Sequence, residues 1–241
     1  MGEVLITVGV VALLYVAWQL WIGDLIFAAQ KAAVAKSLSE EWAQEAAAVA
    51  PTASPSPDAT GTPAPEPAAV TADPIVLPEA DDGQVFANLY IPRFGPDYAV
   101  QIAGGVTREK TLDPIGVGHY PGTSMPGAVG NAAFAAHRTT YGKPFNRIAD
   151  LHVGDAIVIE TPEGWYTYRF RTLEYVTPES VDVLLPVPQE DGVDANGRYL
   201  TMTSCSPMFS MSERIVGYSS FESFTPRSAG PPASLTGGVT S

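Results

Sequence analysis

Cysteine is almost missing from this chain: there is one in 241 residues, Cys205. A single thiol excludes an internal disulfide framework, and no Cys/His cluster has the spacing of a zinc site. Positive charge is scarce too. Lys and Arg number 13 against 26 Asp and Glu, a net charge of −13. That balance argues against nucleic-acid binding, which needs a basic face to displace counterions. There is no internal repeat, and the Gly-rich fragments do not match a phosphate-binding loop. No metal or cofactor is expected. Glu79, Asp81 and Asp82 cluster, but at the end of a polar segment where carboxylates are ordinarily solvated.

Charge is absent altogether from Val4 to Ile22, "VLITVGVVALLYVAWQLWI". A helix of that length spans about 28 Å, close to the hydrocarbon thickness of a bilayer. Trp18 and Trp21 near its end suit an interfacial belt. The run is too long for a typical signal-peptide core and no small-residue cleavage site follows, so residues 1–23 are predicted to be a transmembrane anchor. Glu3 precedes the run while Lys31 and Lys36 follow it, so charge asymmetry does not fix its orientation.

Residues 24–50, rich in Ala, Glu, Gln and Lys with Val34, Leu38 and Trp42 at fourfold spacing, read as a juxtamembrane helix. Residues 51–81 turn abruptly to Pro, Ala, Thr and Ser. Such a spacer would hold the following domain several nanometres off the membrane. Residues 227–241 read as a disordered tail.

Between them, residues 82–226 alternate short strand-like runs with turn signals: "QVFANLYIP", "YAVQIAGG", "GNAAFAAH", "DAIVIET", "GWYTYRFRTLEYVT", "RYLTMTSC" and "RIVGYSSFESF". Only "REKTLDPIG" and "KPFNRIADL" offer short helical turns. The fold class is all-β, a closed or nearly closed barrel of seven to eight strands with short helices.

Cys205 falls at the end of one strand-like run and Arg214 at the start of the next, so both face one end of a sheet. Cysteine catalysis also needs a base, and there are three histidines. His119 sits in the turn-rich "GHYPGT", His152 in a tight turn before a strand, and His137 closes an apolar strand. Each could be a loop histidine satisfied by water. The thiol has an ordinary reading as well, a small buried hydrophobe, although Ser204, Ser206 and Pro207 make its surroundings polar. Spacing alone leaves open both a Cys–His–Arg site and an inert thiol in a membrane-anchored binding module.

The segment "TMTSC" followed by Arg214 resembles the sortase signature, a "TLxTC" strand with an arginine opening the next strand. The blocks "GHYPGT", "AHRTTYGKPF" and "GDAIVIET" are similar, in the same order, to class E sortases. This resemblance covers about Phe86 to Phe221. Met202 stands for the usual Leu, Ser204 for the usual Thr, and Ala136 for the Gly that commonly precedes the histidine; none of these changes removes a reacting group. The resemblance implies a sortase-type barrel and a cysteine transpeptidase with Cys205 as nucleophile, His137 as general acid/base and Arg214 as oxyanion donor. It implies substrate contacts from Tyr120, Thr203 and Ser204, with Tyr120 reading the position that separates LAxTG from LPxTG. The implied partners are secreted proteins bearing a C-terminal sorting signal and a peptidoglycan-precursor amine, at the outer face of the cell membrane.

Papain-like peptidases place cysteine before histidine, the reverse of the order here. An L,D-transpeptidase would hold the two close together in one loop. The "ADPI" at Ala72–Ile75 is a faint match to the lid of pilus-polymerising sortases, but lacks its aromatic residue.

Overall fold

The computed structural model describes residues 2–18, 23–49 and 72–236. Two helices lead the chain, α1 (Gly2–Ala17) and α2 (Asp24–Val49). Eight strands follow: β1 (Val85–Tyr90), β2 (Ala99–Gly104), β3 (Val117–His119), β4 (Gly130–Ala136), β5 (Ala156–Thr161), β6 (Gly164–Val176), β7 (Arg198–Ser206) and β8 (Glu213–Pro226). They close into a barrel in the order β1-β2-β3-β4-β7-β8-β6-β5, with β5 returning to β1. The β2–β3 and β4–β7 pairs are parallel and the rest antiparallel. The expectation of seven to eight strands in a closed barrel is met.

Alternation along the strands builds the core. Ala87, Leu89, Ile91, Ile157, Ile159, Tyr166, Tyr168 and Phe170 point inward, joined by Phe134, Leu200, Met202 and Ile215. Their neighbours Asn88, Tyr90, Glu160 and Trp165 emerge on the outer face, where period-two geometry must place them. That face is buried too, because α2 lies across it: Lys31, Ala35 and Trp42 are its buried positions. The predicted stripe is thus corrected at Val34, which is exposed; the contacting residues recur near 3.6 rather than at a strict four.

The α2 seam is polar at its centre. The Glu160 carboxylate accepts from Ser39 at 2.7 Å, Asn88 at 3.3 Å, the Tyr90 hydroxyl at 2.7 Å and Arg227 at 3.0 Å. Arg227 in turn lies over the Trp42 and Trp165 rings, at 5.7 and 4.7 Å. Four accepted bonds, one of them from a guanidinium, are what a buried carboxylate requires.

Several boundaries differ from expectation. Residues 72–81, assigned to the spacer, lie on the barrel: Ala72 N–H donates to the Phe224 carbonyl, the Tyr166 hydroxyl to the Ile75 carbonyl, and Leu77 packs on the core. Leu77, with Ala72 and Ala80, packs the segment on the core, while Ile75 and Val76 stay exposed. Asp82 is not merely solvated; it accepts from Thr107 and Thr111 and pairs with Lys110. Residues 227–236, read as disordered tail, pack through Arg227 and Leu235 and form a short helix, α3 (Ala233–Thr236). The rest of the predicted spacer, 51–71, and residues 237–241 lie outside the described residues.

The apolar leader is described only as α1 and Trp18. Sixteen helical residues rise about 24 Å, short of a ~30 Å hydrocarbon core. Among the described residues no helix is long and apolar enough to cross a membrane, and the expected continuation through 19–22 lies outside them. The expected separation of the domain from that leader is also corrected. Asp24, at the start of α2, pairs with Lys143 of the barrel at 3.2 Å, so the barrel abuts the point where the apolar run ends.

Candidate active site

β4, β7 and β8 are adjacent in the barrel, and their ends carry the site. Cys205 on β7 lies directly opposite Arg214 on β8 in the antiparallel ladder. On the other side, β4 runs parallel to β7 with Ala135 opposite Thr203. The two chains stay together past that pair: the Ser204 hydroxyl donates to the Ala136 carbonyl at 2.7 Å, and Arg138 donates to the Cys205 carbonyl at 3.4 Å. Continuing the register by one side-chain repeat brings His137 level with Cys205. Cysteine and arginine are thus paired across β7 and β8, and the continued β4 register would set the histidine in a row beside them.

Cys205 is half-buried, and its thiol has no hydrogen-bond partner among the described residues. One guanidinium nitrogen of Arg214 is spent on the Met211 and Glu213 carbonyls, at 3.1 and 2.9 Å. Those bonds aim the side chain and leave Nε and Nη2 without partners among the described residues. The fork can therefore donate to an oxygen in the row.

His137 is held on two sides. Its Nε2 lies 2.6 Å from Asp113 Oδ1, and the Tyr141 ring lies 5.2 Å from its own. Tyr141 reaches that place with φ +53, left-handed backbone that a side chain adopts at a cost of roughly 1 kcal/mol or more. Phe27 of α2 meets the Tyr141 ring edge-on at 6.4 Å. Gly142, at φ +81, adopts the left-handed backbone that favours glycine, and α2 lies beside it: a Cβ there would sit in ordinary contact, 3.4–3.5 Å, with Ala28 backbone atoms.

Arg138 was not singled out from sequence, though it follows His137 directly. It is buried, its Nε donates to the Asn146 carbonyl at 3.0 Å, and Asn146 donates back to its carbonyl at the same distance. Burial lowers its pKa from the usual guanidinium value, an effect opposed by nearby Tyr175, Asp150 and Cys205. Asp113 was missed as well. It lies 24 residues before His137, and nothing in the local sequence marks it.

Other expected residues fall as follows. Tyr120 and Thr203 meet, hydroxyl to hydroxyl, at 2.9 Å. Thr203 and Ser204 are both buried, and the Ser204 hydroxyl is engaged by Ala136. His119 is not a solvated loop residue; it ends β3 fully buried between Phe86 and Phe134. Its Nε2 contacts the Ser124 carbonyl at 3.0 Å and the Thr123 hydroxyl at 3.1 Å, and burial pushes its pKa below the usual imidazole value. His152 is exposed, away from the row. A cleft of about 480 Å³ lies beneath α2 and includes Lys31, Phe94 and Tyr98, but none of Cys205, His137 or Arg214. The row itself lies at open strand ends, which suits an extended peptide better than an enclosed small molecule.

Comparison with known proteins gives the same direction. The sortase-domain family profile matches residues 89–222. Sortase SrtE1 of Streptomyces coelicolor is 36% identical over 240 residues, 97% of this chain and 60% of that protein, so the chain spans well under two thirds of that relative's length. The crystal structure of sortase E1 from the same organism, with a tripeptide in its active site, superposes with a TM-score of 0.59 at 38% identity, over 66% of this chain and 99% of the other. The SrtA sortase of Actinomyces oris gives 0.63 at 33% identity, over 67% and 93%. With its barrel, its thiol and its strand order accounted for, the chain belongs to the sortase family, among the class E members.

Proposed function

We propose that this protein is a membrane-anchored cysteine transpeptidase that cleaves an LAxTG- or LPxTG-type sorting signal between Thr and Gly and joins the new acyl end to a peptidoglycan-precursor amine. What supports this reading is the pairing of Cys205 with Arg214, together with the β4–β7 register that, carried one repeat past Ala135 and Thr203, would bring His137 beside them. The thiolate of Cys205 attacks the threonine carbonyl carbon, and the resulting oxyanion accepts hydrogen bonds from Arg214. The C–N bond then breaks, His137 protonates the departing glycine amine, and the acyl group remains as a thioester. An incoming amine attacks that thioester, gives its proton to His137, and the thiolate leaves. Arg138 and Arg214 supply the positive charge that a thiolate nucleophile needs nearby.

Tyr120 and Thr203, joined by their hydroxyls, form the wall that reads the residue before the variable position, with Ser204 setting the strand pairing behind the nucleophile. The uncharged run from Val4 to Ile22 supports an anchor, with α2 as a juxtamembrane helix and the catalytic barrel outside the cell.

The test uses the full chain in detergent micelles, because α2 is part of the packed barrel. Fluorogenic LAxTG and LPxTG peptides are offered with a glycine-type amine. Cleavage and ligation by the parent, with losses of about 10²-fold or more in Cys205→Ala, His137→Ala and Arg214→Ala, is the expected result. Turnover that survives Cys205→Ala, or a folded parent that processes neither peptide, would sink the proposal.

A further inference from the structure

One carboxylate beside the row has no part in the chemistry above. Asp113 follows the π-helical turn Arg108–Leu112, and its backbone N–H donates to the Arg108 carbonyl at 2.9 Å. Its Oδ1 lies 2.6 Å from His137 Nε2, and its Oδ2 lies 3.6 Å from the exposed Arg108. The backbone around it is pinned from another element: Nζ of Lys31, buried on α2, donates to the Asp113 carbonyl at 3.1 Å. A carboxylate whose backbone is held from two elements and whose oxygen sits 2.6 Å from one ring nitrogen is a built contact, unlike a mobile surface pair.

The contact decides which ring nitrogen does the chemistry. A carboxylate only accepts, so the imidazole must present its Nε2–H to Asp113. The neutral ring then carries its lone pair on Nδ1, and the protonated ring offers only Nδ1–H to a departing amine. Tyr141 holds the other side of the ring.

We infer that Asp113 is a positioning residue for transpeptidation: through its bond to Nε2 it fixes the His137 tautomer so that Nδ1 is the proton-transferring atom. This rests on His137 being the general acid/base.

The test is made on the full chain in micelles, with kinetics and with ¹⁵N-histidine NMR assigned by His119 and His152 substitutions. Asp113→Ala should lower kcat about 10- to 100-fold while KM stays within about threefold. Asp113→Asn, of the same shape, should lose about tenfold, and Asp113→Glu should recover part of the loss. In the parent the neutral His137 ring should carry its proton on Nε2, and in Asp113→Ala the ¹⁵N shifts should move towards a mixture of tautomers. If Asp113→Ala does not fold, the Asn variant decides the matter by its kcat. The inference is overturned by variants with kcat within about twofold of the parent, by a parent ring protonated on Nδ1, or by a kcat loss with no change of tautomer. An inactive parent overturns the transpeptidase reading instead, while its ring spectrum still reports separately on the Asp113 contact.

Discussion

Two histidines on neighbouring strands show how burial separates one residue type into two environments. His137 sits just past a strand end with a carboxylate on one nitrogen and no partner for the other among the described residues. His119 is sealed in the barrel wall between Phe86 and Phe134, and its Nδ1 has no partner among the described residues. Desolvation there disfavours the imidazolium and pushes the folded-state pKa below the usual value. The unfolded chain therefore binds the His119 proton more tightly than the folded one. The stability tied to a neutral His119 is present above its unfolded pKa near 6.5 and is lost as pH falls towards the folded value. Thermal unfolding of the parent should lose ground between pH 7 and pH 5, and His119→Asn should flatten that slope. Equal slopes in the two proteins would remove His119 as the cause.

Element by element, most of the barrel was legible because its strands keep period two over at least six residues. β3 was not: it is three residues long, Gly118 interrupts it, and its flanks read as turn. A Cβ on Gly118 would collide with the Gly105 carbonyl, so the glycine records a close strand approach rather than a loop. Cys205 and Arg214 were legible together, since a short turn between two strand runs dictates their pairing. Asp113 was not, because only the parallel β2–β3 connection carries it to His137. Nor was the α2 seam, whose partners Glu160 and Arg227 lie more than a hundred residues from Ser39 and Trp42. That seam makes its own prediction. Arg227→Ala would leave the buried Glu160 without its cation and the two tryptophans without their filler, a loss of about 3–5 kcal/mol. Urea unfolding with a midpoint within a few tenths molar of the parent would contradict it.

At the scale of the molecule, the placement of α2 changes how the barrel relates to the apolar leader. A domain on a Pro-rich tether could sweep a wide volume. Here the chain leaves the leader, lies along the outer wall of the barrel as α2, and rejoins the barrel at residue 72. Three contacts tie the beginning of α2 to the loops around His137: Asp24 to Lys143, Phe27 to Tyr141, and Lys31 to Asp113. The loops around His137 are therefore held at a fixed distance from the end of the apolar run. A cross-link tests this docking directly. A Cβ built on Gly142 lies 3.5 Å from the Ala28 Cα, within reach of a disulfide, although a side chain at φ +81 costs about 1–2 kcal/mol. In a Cys205→Ala background, Ala28→Cys with Gly142→Cys should oxidise to an intramolecular bridge in most molecules, with the unfolding midpoint raised relative to the reduced form. Thiols that remain free under mild oxidant, in a folded protein, would mean that α2 stands off the barrel and that the domain is tethered rather than seated.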